Sequence, residues 1–255
     1  MKNHITRWSL ALLITTFAAL SFDVAAQAAQ DTGKEKAETP AELSEANTDA
    51  AVIAVQLPFY PLNTCVISDE ELGDDTVNTV IDGNLYRTCC KRCAAKIVSD
   101  PSAARAKIER AVVAAQKPLW PLTTCPISSE AYGGDMGEPV DFVHGMRYAK
   151  LCCKDCKRGV AKNPDRVFGA VDKAWIAEQT KTYPLETCPI SGEKLGSMGD
   201  PVDKLYGTTL VRLCCKGCNK AFDKNPAKYA KQVKDARIDR RRGKEAKEAG
   251  APKKE

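Results

Sequence analysis

Four cysteines in a fixed arrangement occur three times in this chain, and no other feature constrains it as tightly. Residues 182–229 read TYPLETCPISGEKLGSMGDPVDKLYGTTLVRLCCKGCNKAFDKNPAKY, with Cys188 on a Pro-rich turn followed by the cluster Cys214, Cys215 and Cys218. The first copy has Cys65 and then Cys89, Cys90 and Cys93; the second has Cys125 and then Cys152, Cys153 and Cys156. All 12 cysteines of the 255 residues fall in this pattern. A repeat of about sixty residues implies small units in tandem rather than one large domain. Units of that size bury too little apolar surface to be comfortable alone, so a metal, disulfides or neighbours are expected as staples.

The chain ends are of a different character. Residues 1–28 carry Lys2 and Arg7, an apolar run from Trp8 to Leu20, and small residues suited to cleavage after Ala26 or Ala28, which reads as a secretory signal peptide. The run is short for a membrane anchor, and no cysteine follows it for lipid attachment. A secreted, periplasmic location is therefore expected, with no membrane span once the leader is removed. Residues 29–58 hold six acids against two lysines and read as a disordered linker; residues 234–255 hold nine bases against five acids and read as a solubilising basic tail that begins as a helix extension. That tail has no aromatic residue, and secretion separates the chain from the genome, so nucleic acid is not an expected partner.

Between the ends lie repeat 1 (59–117), repeat 2 (118–180) and repeat 3 (181–233). Each opens with an aromatic and a proline, Tyr60-Pro61, Trp120-Pro121 and Tyr183-Pro184, read as packing residues on an extended segment. The turn after the first cysteine is rich in Ser, Gly and acids, a composition that lets backbone N–H groups point at a sulfur. An alternating stretch then predicts a β-hairpin, with Asp82-Gly83, His144-Gly145 and Tyr206-Gly207 at its tip. His144 is not read as a ligand, because Asp82 and Tyr206 take its place in the other copies. From the cysteine cluster onward the pattern is helical, broken at Asp100-Pro101, Asn163-Pro164 and Asn225-Pro226, with a second helix after each break. Ile108 and Val112, and Phe168, Val171 and Trp175, fall on one face at helical spacing and read as core. Met136 and Met198 read as apolar fillers.

Within a cluster, Cys214 and Cys218 are four apart and Cys215 and Cys218 three apart, so on a helix either pair shares a face. A helix start supplies free N–H groups and the positive dipole end, which favour the thiolate that binds metal. With the turn cysteine closing over the same point, four thiolates would complete a tetrahedral Zn2+ site, and three would leave a corner open or suit Cu+. The competing reading is a disulfide-stapled envelope scaffold or interaction protein, given an even cysteine count and an oxidising compartment. Three cysteines within five residues, two of them adjacent, suit metal better than bridges. Reversible closure of Cys-x-x-Cys by oxidation is a mixed possibility. No Cys-x-x-Cys-His occurs, which excludes covalent haem. No set of residues suggests an enzyme, since the region after the leader has His144 alone among histidines and its carboxylates are scattered.

The frame TCPISGEKLGSMGDPV followed by LCCKGCNKAFDKNPAKY resembles the YHS and TRASH group of small metal-binding domains. The likeness spans residues 59–233 and is fullest in repeat 3, which keeps Phe222, Asn225, Pro226 and Tyr229. It implies an α+β, treble-clef-like module (turn, β-hairpin, two short helices) and a role in binding, sensing or moving zinc or copper. By that frame the ligands are Cys188, Cys214 and Cys218 and their equivalents Cys125, Cys152, Cys156, Cys65, Cys89 and Cys93. Cys90, Cys153 and Cys215 depart from the frame, as a fourth ligand or as a resolving thiol. Metal ions, and other envelope proteins, are the partners expected.

Overall fold

The computed structural model describes residues 40–249; the expected signal peptide lies outside the described residues, as do 29–39 of the linker and 250–255 of the tail. Three small α+β modules follow one another. Each contains one two-stranded antiparallel hairpin: β1 (Val77–Ile81) with β2 (Asn84–Thr88), β3 (Val140–His144) with β4 (Arg147–Leu151), and β5 (Val202–Tyr206) with β6 (Thr209–Leu213). The registers are equivalent, Val77 opposite Thr88, Val140 opposite Leu151 and Val202 opposite Leu213. Hence the tip pairs are Asp82-Gly83, Gly145-Met146 and Gly207-Thr208. In repeats 2 and 3 this differs by one residue from the sequence expectation. His144 is not at a loop tip: it ends β3 opposite Arg147, and its ring stacks on Phe168 at 6.4 Å. The equivalent residues are Ile81 and Tyr206.

After each hairpin a short helix begins at the cysteine cluster, α2 (Lys91–Ser99), α4 (Cys156–Lys162) and α6 (Asn219–Lys224), the last entered through a 3-10 turn at Lys216–Cys218. The breaks fall where expected. Asn163 ends α4 and its side chain then accepts the Arg166 N–H, with Pro164 as the first residue of α5 (Pro164–Lys181). Asn plus Pro is therefore a stop and a start in one, a cap followed by the one helical position that needs no N–H. Asn225 accepts from the Lys228 N–H at the start of α7 (Pro226–Ala249), and Asp100 from the Ser102 N–H at the start of α3 (Ser102–Gln116). Ile108, Val112, Phe168, Val171 and Trp175 are all buried, as their spacing predicts.

Within the segment expected to be a linker, Pro40–Gln56 form a helix, α1. Its last residue ties it to the first hairpin. Gln56 Nε2 donates to the Gly83 carbonyl at 2.6 Å and its Oε1 accepts the Leu85 N–H at 2.8 Å, so one side chain holds both sides of the first hairpin tip. Gln116 at the end of α3 does the same to Met146 and Tyr148, and Gln179 in α5 to Thr208 and Leu210. Each hairpin is thus gripped by the helix before its own repeat begins. α7 carries Arg241 at the corresponding place, and it runs through the first part of the expected basic tail.

The same overlap shows in the core. The cluster around Leu85, Ile97, Ile108 and Val112 continues into Met146 and Tyr148 of the second hairpin. Repeats 2 and 3 have clusters centred on Leu151, Val160 and Val167, and on Val211, Leu213, Phe222 and Val233. Arg147 joins neighbouring repeats: its guanidinium lies 4.5 Å from the Phe59 ring centroid and 4.4 Å from that of Phe168, while pairing with Asp172. Two opening aromatics add a polar function to their packing, since the Tyr60 and Tyr183 hydroxyls accept the N–H groups of Arg87 and Arg212. Met136 and Met198 are exposed, 49% and 61%, and do not fill the interior. No helix among the described residues is long and apolar enough to cross a membrane.

Candidate metal centre

The first cysteine of each repeat sits on a turn of one design. Cys65, Cys125 and Cys188 donate their N–H to the carbonyls of Glu70, Glu130 and Glu193 at 2.7, 2.8 and 2.7 Å. Their carbonyls accept the N–H of the residue four further on. That residue has a left-handed backbone, Asp69 at φ 62°, Ser129 at 67° and Gly192 at 77°, which lets the loop close in six residues. The intervening N–H groups then converge on the sulfur, as the turn composition suggested. Burial alone would push the Cys65 thiol up, but the hydroxyl and N–H of Ser68, with the N–H groups of Cys89 and Ile67, bring it down to about 6. Cys125 and Cys188 are also brought to about 6 against burial, by the N–H groups of Ser128, Cys152 and Ile127 and of Ser191, Cys214 and Ile190. A hydrogen-bonded thiolate in a buried turn is a preformed metal ligand.

The second and third sulfurs come from the strand end and the helix start. Cys89, Cys152 and Cys214 directly follow β2, β4 and β6, while Cys93 lies in α2, Cys156 opens α4 and Cys218 ends the 3-10 turn. Three groups result, in each of which the sulfurs lie within 4.8 Å of one another: Cys65, Cys89 and Cys93; Cys125, Cys152 and Cys156; Cys188, Cys214 and Cys218. The close pairs are 3.8 Å for Cys89 and Cys93, 3.7 Å for Cys152 and Cys156, 3.7 Å for Cys214 and Cys218, and 3.8 Å for Cys188 and Cys218. All twelve cysteines are free thiols, and these separations are well beyond a bonded S–S of about 2.0 Å. Burial and the neighbouring Cys214 and Cys188 push Cys218 up to about 12, so this trio sets a favoured thiolate beside a reluctant one. A cation at the centre removes that conflict by stabilising all three together.

Cys90, Cys153 and Cys215 stand outside the three groups. They are half-buried, and each has its sulfur near one member of the trio: 3.7 Å from Cys89, 3.6 Å from Cys156 and 3.9 Å from Cys214. Cys90 and Cys215 are the residues from which α2 and the 3-10 turn start. The Cys93 N–H holds the Cys90 thiol below its ordinary value, and the Gly217 N–H does so for Cys215.

One serine per repeat went unread in the sequence. Ser68, Ser128 and Ser191 place their hydroxyls 3.5, 3.2 and 3.3 Å from the sulfurs of Cys89, Cys152 and Cys214. The signal was present: Cys-x-Ile-Ser-x-Glu is written in all three copies, CVISDE, CPISSE and CPISGE. Matches were sought among models of protein families, among curated proteins and among solved structures, and none was found in any of the three.

Proposed function

We propose that the chain is a secreted metal-binding protein that holds one thiophilic ion, zinc or copper(I), in each of its three repeats. Cys65, Cys89 and Cys93, Cys125, Cys152 and Cys156, and Cys188, Cys214 and Cys218 are the ligands. The observation that carries this is the spacing of the sulfurs. A tetrahedral Zn–S bond of about 2.3 Å gives S···S edges of about 3.8 Å, and the close pairs are 3.7 and 3.8 Å apart. Three soft donors with the fourth corner left open suit capture and release at least as well as permanent structural zinc.

The location is read from the leader-like residues 1–28, and the kinship with the YHS and TRASH group from the residues quoted above. A binding role is read from the chemistry at hand, which is thiols gathered in threes around a point.

Elemental analysis of the protein isolated from its own compartment, with thiols counted in parallel, tests the reading. About three soft ions per chain, with thiols reacting only after chelation, is the expected result. A chain with no metal and no free thiol would instead be the disulfide-stapled scaffold. Cys218→Ser is expected to release one ion and loosen repeat 3 while the other two sites stay filled.

A further inference from the structure

The three centres share a plan but differ at the rim. Each turn ends on a glutamate five residues after its first cysteine, tethered by its carbonyl to that cysteine's N–H. In repeat 1 the Glu70 carboxylate turns onto one sulfur of the trio, beside the group rather than within it: Oε2 accepts from Cys89 Sγ at 3.1 Å and from the Ser68 hydroxyl at 3.2 Å. In repeats 2 and 3 the serine is engaged otherwise, accepting the N–H groups of Glu130 and Glu193 at 3.3 Å. No sulfur contact of either carboxylate is found among the described residues. The loop before each hairpin differs in the same sense. Sixteen residues before the second cysteine stand exposed Met136 and Met198 in repeats 2 and 3, and Gly73 in repeat 1.

We propose that the centres are specialised: Cys65, Cys89 and Cys93, with the Glu70 carboxylate swinging in from its place on Cys89, form a three-sulfur, one-oxygen site for a zinc-class divalent ion, and the all-sulfur centres of repeats 2 and 3 take a soft monovalent ion such as copper(I). This rests on the metal-binding reading above and assigns each repeat its cargo. Carboxylate oxygen is a regular zinc ligand at about 2.0–2.2 Å, whereas copper(I) prefers soft donors alone. The carboxylate also matches the charge, adding a fourth negative group where the ion carries a second positive one. The exposed thioethers of Met136 and Met198 in the other two repeats carry no such charge, but they do offer a soft first contact for a monovalent ion.

The test titrates the reduced full chain, under anaerobic conditions, with Zn2+ alone and with Cu+ alone, each buffered by a competing chelator. One Zn2+ site is expected to be roughly tenfold or more tighter than the other two, to vanish in Cys65→Ser, and to weaken by roughly tenfold or more in Glu70→Gln. Glu130→Gln and Glu193→Gln are expected to leave zinc binding unchanged. The metal-free Glu70→Gln chain is expected to keep the unfolding midpoint and the number of reactive thiols of the unaltered chain, which shows that repeat 1 is still folded in the variant. Three equal Zn2+ sites, or a tight site that Glu70→Gln does not weaken, would overturn the specialisation while leaving metal binding in place. An unaltered chain retaining neither ion would remove both.

Discussion

Gln116, at the end of α3, donates to the carbonyl of Met146 at 2.8 Å, at the tip of a hairpin that belongs to the next repeat. The same amide accepts the Tyr148 N–H at 3.0 Å, and Gln116 itself is only 2% exposed. Replacing it with Ala leaves a buried N–H and a buried C=O without partners, a loss of about 2–4 kcal/mol. We expect Gln116→Ala to lower the denaturation midpoint of the full chain by a corresponding amount and to broaden the transition as the second hairpin melts early. Urea unfolding followed by tryptophan fluorescence measures it, since Trp120 lies beside Tyr148 at 5.5 Å.

Two tip glycines give a controlled comparison. Gly207 has φ 58°, and a Cβ there would lie 2.2 Å from the Pro58 carbonyl oxygen, whereas Gly83 at φ 69° has open space around it. Gly83→Ala carries only the left-handed backbone penalty, about 1–2 kcal/mol. Gly207→Ala adds a clash with main chain and is expected to cost at least about 2 kcal/mol more. Thermal unfolding of the two variants side by side tests the difference; equal losses would mean that the third hairpin tip does not press on residues 58–59.

Arg147 is held between Phe59 and Phe168 and paired with Asp172. Lysine keeps the charge but has neither the planar face nor the two-pronged grip. Arg147→Lys is expected to destabilise by about 1–3 kcal/mol with metal stoichiometry unchanged, a split readable from unfolding curves and elemental analysis on one sample.

The reduced, metal-free chain has a defined pH dependence. Cys65, Cys125 and Cys188 titrate at about 6 in the fold against 9.0 for an ordinary thiol. Between those values the unfolded chain binds the extra protons, so stability rises with pH, fully present above about 9 and lost as pH falls through about 6. Each thiol contributes a slope of at most about 1.4 kcal/mol per pH unit. Above 9 the sign reverses, because burial and neighbouring sulfurs hold Cys218 up to about 12, and the Glu70 carboxylate, against the Ser68 hydroxyl, does so for Cys89. Stability is therefore expected to peak near pH 9. Thiolate absorbance of the folded apo chain checks the lower limb, with three thiolates appearing near pH 6.

The module was legible in the sequence because each of its parts has a local cause. Asn-Pro stops and starts helices, alternation marks hairpins, and a turn of Ser, Gly and acids makes an N–H nest. The trio itself followed from the family frame, which separated Cys214 and Cys218 from Cys215 when helical spacing alone allowed either pair. What joins the repeats was not legible. Gln56, Gln116 and Gln179 act across 27 to 32 residues, and a lone glutamine carries no pattern until the hairpin it grips is known. The tip register slipped by one because Tyr206-Gly207 looks like a turn pair, while pairing of Tyr206 with Thr209 moves the turn forward. The methionines were read as apolar filler because hydrophobicity alone does not say which side of a loop faces water.

A glutamine that closes one repeat's hairpin from the previous repeat's helix makes each helix common property. α3 and α5 cannot be assigned to one module without damaging another, so a cut at 117/118 or 180/181 severs a grip rather than a linker. The array then behaves as a row of coupled springs. An ion seated in repeat 1 stiffens α2 and the α3 that packs behind it, and through Gln116 that stiffness reaches the hairpin carrying Cys152. Partial loading is therefore expected to raise the melting temperature of the empty neighbour downstream, a nearest-neighbour cooperativity carried at this junction by Gln116 together with the shared core at Met146 and Tyr148.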